Sequence, residues 1–307
     1  MKDLFSSVLK RGTALWQLLN NVIGDDLLSR IKNFFMSYID AFVLNIKEHV
    51  ENTPQIFKLS VADLKKTYTG SALGWAWAVI KPIVTIFVYW FAIAIGLRQG
   101  KDVGGYPYIL WLICGIIPWF YMGDSITGGT NCIRRYSYLV TKMRYPITTI
   151  PTFTNLSRLF VHVIISVVVV LIFWISGYPP TLYLLQLPVY MLLMFMFMNA
   201  WSLFAGLVSA MSKDFANLVK SLNIAIFWLS GVLWNIENVR DSEFIYSILM
   251  LNPVTFICYG YRNCFVNHVW FFEQPKRLVY FLCWYGVMAL MSLWAYKKLR
   301  KEIPDVL

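Results

Sequence analysis

Six apolar runs, each near the length that a bilayer core demands, constrain this chain more than anything else in it. A helix rises about 1.5 Å per residue and must cross about 30 Å of hydrocarbon, so a span needs about 20 apolar residues. The runs fall at 75–97, 107–127, 159–177, 183–211, 221–235 and 278–296. Hydrocarbon offers no partner to backbone polar groups, so each run must satisfy its own as a helix. The balance of residues agrees: 58% are hydrophobic and only 14% charged, and the mean hydropathy is +0.58. The expected class is an all-α polytopic membrane protein with six transmembrane helices.

A net charge of +11 invites a nucleic-acid reading, but the cations bracket the apolar runs instead of covering a soluble surface. Twenty of the 27 Lys and Arg lie in 1–74, 128–158, 212–220 and 297–307; six lie in 98–106 and 236–277, and Lys81 is inside the first run. Basic loops stay on the cytoplasmic side, so both termini are expected there. Lys2, Lys10 and Arg11 precede no adequate apolar region, so the first spans are expected to carry the targeting signal.

Three organised segments lie outside the runs. Residues 1–54 read as an amphipathic cytoplasmic extension, with Leu28, Ile31, Phe35, Tyr38 and Phe42 near helical spacing and Asp25, Asp26, Arg30, Lys32 and Asp40 between them. A mobile extension is the alternative. Residues 55–74 read as an interface helix: Phe57, Val61, Leu64 and Tyr68 share a face, with Lys58, Lys65 and Lys66 elsewhere. The third, 128–158, carries Arg134, Arg135, Lys142, Arg144 and Arg158 and no acid. Within it, 136–144 is a helix-sized piece stopped by Tyr145 and Pro146. Tyr136, Tyr138, Leu139, Lys142, Met143, Arg144 and Tyr145 are the candidates for gripping a cytosolic partner.

The loops differ in kind. Residues 177–181 read as a tight outer turn and 212–214 as a short inner one. The outer segment 236–277 holds two short apolar stretches, 244–251 and 254–266, broken at Asn252 and Pro253. A re-entrant helix pair fits this pattern, and two helices lying flat on the outer surface are the alternative.

No phosphate-binding G-x-x-x-x-G-K-[ST], H-E-x-x-H or G-x-S-x-G motif occurs, and the three histidines (His49, His162, His268) are far apart. Cysteines at 114, 132, 258, 264 and 283 show no C-x-x-C spacing, which leaves Cys258 and Cys264 as buried thiols or a pair. Lys81, Asp124 and His162 are ionisable residues inside or beside spans, a functional signal by default. The blander reading lets Lys81 snorkel and Asp124 pair with a nearby Arg. No midplane acid suits a proton-coupled carrier. Tyr89, Trp90, Phe227 and Trp228 are aromatic pairs that suit packing or an interfacial belt, or a conduit for sugars.

Four stretches resemble the membrane subunit of an ABC-2 type exporter of the polysaccharide branch, which includes teichoic acid, O-antigen and capsule exporters. They are 64–82 (LKKTYTGSALGWAWAVIKP), 131–151 (NCIRRYSYLVTKMRYPITTIP), 212–219 (SKDFANLV) and 251–265 (LNPVTFICYGYRNCF). Mild departures occur where Tyr145, Ile150 and Lys213 stand for Phe, Leu and Arg, and residues 1–54 exceed the usual pattern. The resemblance implies a type V exporter-like fold over 75–307. It also implies a homodimer in the bacterial inner (plasma) membrane and two copies of a separate ABC ATPase that binds ATP and Mg. On that reading the chain has no cofactor of its own, is not an enzyme and contacts no nucleic acid. Its partners are membrane lipid and a lipid-linked glycopolymer, with a teichoic-acid-type polymer mildly preferred. Tyr89, Trp90, Phe227 and Trp228 would border the path. Phe244, Leu251, Asn252, Pro253, Tyr259 and Arg262 would form the outer gate. Two other readings stay open: an ABC-2 exporter of small amphiphiles, and a membrane-embedded transferase acting on lipid-linked sugars through Glu237, Asp241, Glu243, Glu273 and His268.

Overall fold

The computed structural model describes residues 25–307 apart from Gln99 and Arg144, and of residues 25–35 and Pro304 it describes the backbone alone. The chain divides into two units, Met1–Lys47 and Glu48–Leu307. Helices dominate, and among the described residues the only strand-like feature is an isolated bridge between Val103 and Tyr106.

Helix α1 (Asp25–Glu51) occupies the described part of the N-terminal segment. Its Met36, Ile39, Phe42, Val43 and Ile46 are exposed at helical spacing. The side chains of Leu28, Ile31 and Phe35 lie outside the described residues. Residues 1–24, with the expected extension's start, do so entirely.

The second unit holds α2 (Thr53–Tyr68), α3 (Trp77–Trp90), α4 (Tyr108–Thr130), the short α5 (Cys132–Arg135) and α6 (Ser137–Thr141), then α7 (Thr149–Ile175), α8 (Leu187–Met211) and α9 (Lys213–Leu229). The outer pair α10 (Glu243–Leu251) and α11 (Pro253–Arg262), then α12 (Pro275–Leu299) and α13 (Ile303–Val306), complete it. Among the described residues five helices are long and apolar enough to cross a membrane: Gly74–Gly96, Tyr108–Thr130, Thr149–Ile175, Leu182–Met211 and Pro275–Leu299; the bent pair Glu243–Leu251 and Pro253–Asn267 would make a sixth if it is one span.

Two boundaries move for one reason. The third and sixth spans begin earlier than their apolar runs, because Pro151 and Pro275 sit in first turns where a missing N–H costs nothing. The expected fifth span, 221–235, keeps its place but shifts towards the N-terminus. Its helix starts at Lys213, straight after extended Ser212, and stops at Leu229 after 17 residues. That length reaches about 26 Å, at the short end of what a crossing needs. Gly231 then turns the chain with φ +59°.

Helix α4 is the centre of the bundle and packs against α3, α7, α8, α9 and α11. Leu112, Ile116 and Met122 on it are fully buried. Small residues let neighbours close in: a Cβ at Gly129 would lie 2.0 Å from Ser202 Oγ of α8. By contrast α3 keeps Ile83, Val84, Phe87 and Val88 exposed, a face left to lipid or another chain.

Candidate functional site

The inner loop is a small folded body rather than one helix. The expected piece 136–144 holds one short helix, α6, which ends at Thr141; a break at Tyr136 sets it off from α5, which ends at Arg135. The Tyr145 N–H donates to the Leu139 carbonyl (2.9 Å) and folds the end of the loop back. Pro146 cannot extend the helix further. Tyr136 (4% exposed), Leu139 and Val140 point inward, while Tyr138 (45%) and Met143 (67%) point out with Lys142. Of the seven candidates, then, Tyr136 and Leu139 build the loop and Tyr138, Lys142 and Met143 form its outer surface. Tyr145 is half-buried, and Arg144 lies outside the described residues.

Two acids hold this loop. Asp63 of α2 is buried, accepts the Tyr136 hydroxyl and pairs with Arg135 at 3.4 Å. The Tyr136 ring meets Phe153 edge-on at 4.9 Å, with Arg135 over its face. Burial and then the Asp63 carboxylate push the Tyr136 phenol well above the ordinary tyrosine value, so it stays a neutral donor. Glu48, at the end of α1, accepts from Thr148 and from Tyr296 of α12 (3.0 Å). Beside it His49 hydrogen-bonds Thr152 at 2.7 Å. Arg134 reaches the Ala210 carbonyl at 3.3 Å, a cation on the C-terminal end of α8. Sequence reading missed both acids, because each partner lies at least 72 residues away.

Helix α2 packs on α7, but not through the expected stripe. Its buried side is Ile56, Ser60, Asp63 and Leu64. Of the four expected residues only Leu64 is buried. Val61 and Tyr68 are half-buried, and Phe57 is exposed while touching Phe160 (5.8 Å between rings). The protein-facing side thus differs from the expected stripe, as an interface helix can serve protein on one side and lipid on another.

Between α7 and α8, Asn155 donates to Met198 O (3.2 Å), Asn199 Oδ1 (3.1 Å) and Ser202 Oγ (3.0 Å), a polar clasp inside apolar surroundings. The aromatic candidates on α3 and α9 do meet: the Tyr89 and Phe227 rings are 5.3 Å apart, and Trp119 adds a third ring 5.1 Å from Phe227. Phe227 is buried, Tyr89 and Trp90 are half-buried, and Trp228 is exposed.

The outer pair α10 and the stretch Pro253–Asn267 are bent by 87° at the expected break. Asn252 caps α11, its Oδ1 accepting from the Val254 N–H (2.9 Å) while its amide donates to Ser230 Oγ (2.9 Å). Pro253 occupies the first helical turn. The Tyr259 hydroxyl accepts from the Ile236 N–H (3.2 Å) and donates to Asn235 Oδ1 (3.1 Å). Phe244 (76%) and Leu251 are exposed. Arg262, counted with the outer charges, is instead 1% exposed. Its Nη1 and Nη2 donate to the Gly231 and Val232 carbonyls at 2.8 Å each, and its guanidinium lies 3.5 Å from the Trp111 ring centre. Cys258 and Cys264 are free and buried.

Residues 54–266, which hold α2 through the outer pair, match the model of the ABC-2 type transporter family. The chain belongs to the ABC-2 type transporter family. All four stretches that carried the resemblance fall within the matched residues. The chain is 24% identical over 264 residues to the "O-antigen export system permease protein RfbA" of Myxococcus xanthus, covering 85% of this chain and 98% of that protein. It is also 22% identical to two Klebsiella pneumoniae proteins of the same name, over 80% of this chain and 92% of each. ABC-2 membership fits the geometry: a helical membrane body whose folded inner loop exposes Tyr138 and Met143.

Proposed function

We propose that this chain is the permease subunit of an ATP-driven exporter that moves a lipid-linked cell-envelope polysaccharide outward. The observation that carries the reading is the inner loop, braced by Asp63 and Glu48, with Tyr138 and Met143 exposed on its surface. A chain with no phosphate-binding motif needs an external motor, and a braced loop moves as a unit rather than deforming. Two copies of an ABC ATPase would dock there. Their closure would travel to α2 through Asp63 and Tyr136, and to α12 through Glu48 and Tyr296.

A homodimer would cover the bare face of α3. Both termini would lie in the cytoplasm of a bacterial inner membrane, as the charge bias directs. The outer pair would re-enter the outer leaflet and gate the exit, and Tyr89, Trp90, Phe227 and Trp228 would border the path. The relatives carry the O-antigen name, which favours that polymer class over the teichoic acid type.

The test is ATPase activity in nanodiscs, with the chain alone and after co-expression with an ABC ATPase. A stable complex that exports glycopolymer, and in which Tyr138→Asp with Met143→Asp hydrolyses ATP without export, supports the reading. Activity in the lone chain, or no complex with any ABC ATPase, overturns it.

A further inference from the structure

A cavity of about 550 Å³ opens between α2, α3, α4 and α7, apart from the aromatic path and the outer pair. It is bordered by Tyr68, Trp77, Lys81, Asp124, Gly128 and Arg158. Three of these are charged. Among the described residues Lys81 and Asp124, both exposed, form no ion pair, so the Asp124–Arg pairing that the blander reading allows is not seen there. Arg158 commits Nη1, to Thr154 O (3.3 Å) and Asn155 Oδ1 (3.0 Å). Its other donors have no partner among the described residues. Asp63 and Arg135 also border the cavity, but they are paired with each other.

The guanidinium is seated rather than adrift. A Cβ on Gly128 would lie 2.2 Å from Arg158 Nη2, so glycine is what lets the cation lie against α4. On the far side Tyr68 stacks on Trp75 at 5.2 Å, and Trp77 adds a second aromatic wall. Two cations prefer a phosphate, which accepts several charge-assisted hydrogen bonds at once. The lone carboxylate asks for a donor on the same ligand, a hydroxyl or an ammonium. The volume suits a head group larger than inorganic phosphate.

We infer that this cavity holds the phosphate head group of an inner-leaflet lipid, with the phosphate between Lys81 and Arg158 and a head-group hydroxyl or ammonium on Asp124. Its depth rests on the orientation proposed above, which places these span ends at the cytoplasmic surface. Phosphatidylethanolamine and a polyprenyl diphosphate sugar share this chemistry.

Native mass spectrometry of the full-length chain in detergent separates them. The added lipids are phosphatidylethanolamine, undecaprenyl diphosphate N-acetylglucosamine and uncharged diacylglycerol. Phosphate lipids should be retained over diacylglycerol, and Lys81→Gln should lower that retention about tenfold. Lys81 makes no side-chain hydrogen bond in the fold, so this variant leaves the helices intact. Arg158→Lys should retain more phosphate lipid than Arg158→Gln. Loss confined to phosphatidylethanolamine marks a resident membrane lipid; loss confined to the polyprenyl lipid marks a cargo site. Equal retention of diacylglycerol, or unchanged retention in Lys81→Gln with Arg158→Gln, overturns the inference. Lipid retention is read without ATP or ATPase, so its failure leaves the export reading standing.

Discussion

The Tyr136 hydroxyl donates to the Asp63 carboxylate, and that bond joins the inner loop to the helix that precedes the first span. Tyr136→Phe would leave Asp63 with Arg135 alone, a partly exposed pair at 3.4 Å that contributes little. Losing a hydrogen bond to a charged group costs about 1.5–3 kcal/mol. Amides of 132–145 should then exchange hydrogen at least about tenfold faster in Tyr136→Phe, with the spans unchanged. Equal exchange would show that the loop is held by other contacts.

The same phenol makes the loop sensitive to alkali. Its folded pKa is raised above the ordinary value of 10.0, first by burial and then by Asp63. The stabilisation is therefore full below about pH 10 and is lost as pH climbs through the raised value, where a phenolate would face a carboxylate. Limited proteolysis of the loop should accelerate above about pH 10 in the parent protein and show no such step in Tyr136→Phe. A step of equal size in both would assign it to another group.

Arg262 and Gly115 should behave as one unit. An added Cβ at Gly115 would lie 2.4 Å from Arg262 Nη2 and 2.8 Å from Val232 O, the same carbonyl that the guanidinium holds. Arg262→Lys loses the fork and strands a buried carbonyl, at about 1–3 kcal/mol. Gly115→Ala should cost a similar amount, and the double variant no more than the worse single one. Thermal unfolding in detergent reads this, and additive losses would break the link.

Asn252 has two duties, the cap on Val254 and the bond to Ser230. Asn252→Ala should lower stability by about 1 kcal/mol or more, and Asn252→Asp should restore the cap. If alanine and aspartate variants melt together, the cap is not what holds the bend.

Most of the architecture was legible because a membrane reduces the problem to run length and charge side. Five spans, the 177–181 turn, a short connection at 212 and the break at Asn252 follow from composition and from proline or glycine chemistry. The bounds of the fifth span shifted because its apolar run continues past Leu229, while Gly231 folds the chain back so that two carbonyls meet Arg262. The protein-facing side of α2 was not legible, because apolar spacing identifies a face without saying whether lipid or protein takes it. Asp63 and Glu48 drew no reading from the sequence. Nothing local marks them, since their meaning resides in Tyr136, Thr148 and Tyr296.

Glu48 lies 100 residues before Thr148 and 248 before Tyr296, yet it accepts from both. A ribosome makes the acceptor well before either donor, and Tyr296 follows only with α12. The base of the loop therefore closes fully only once α12 has been inserted, so a chain cut short before α12 would reach the membrane with this brace half made. The arrival of α12 is in that sense written into the part that would meet the motor.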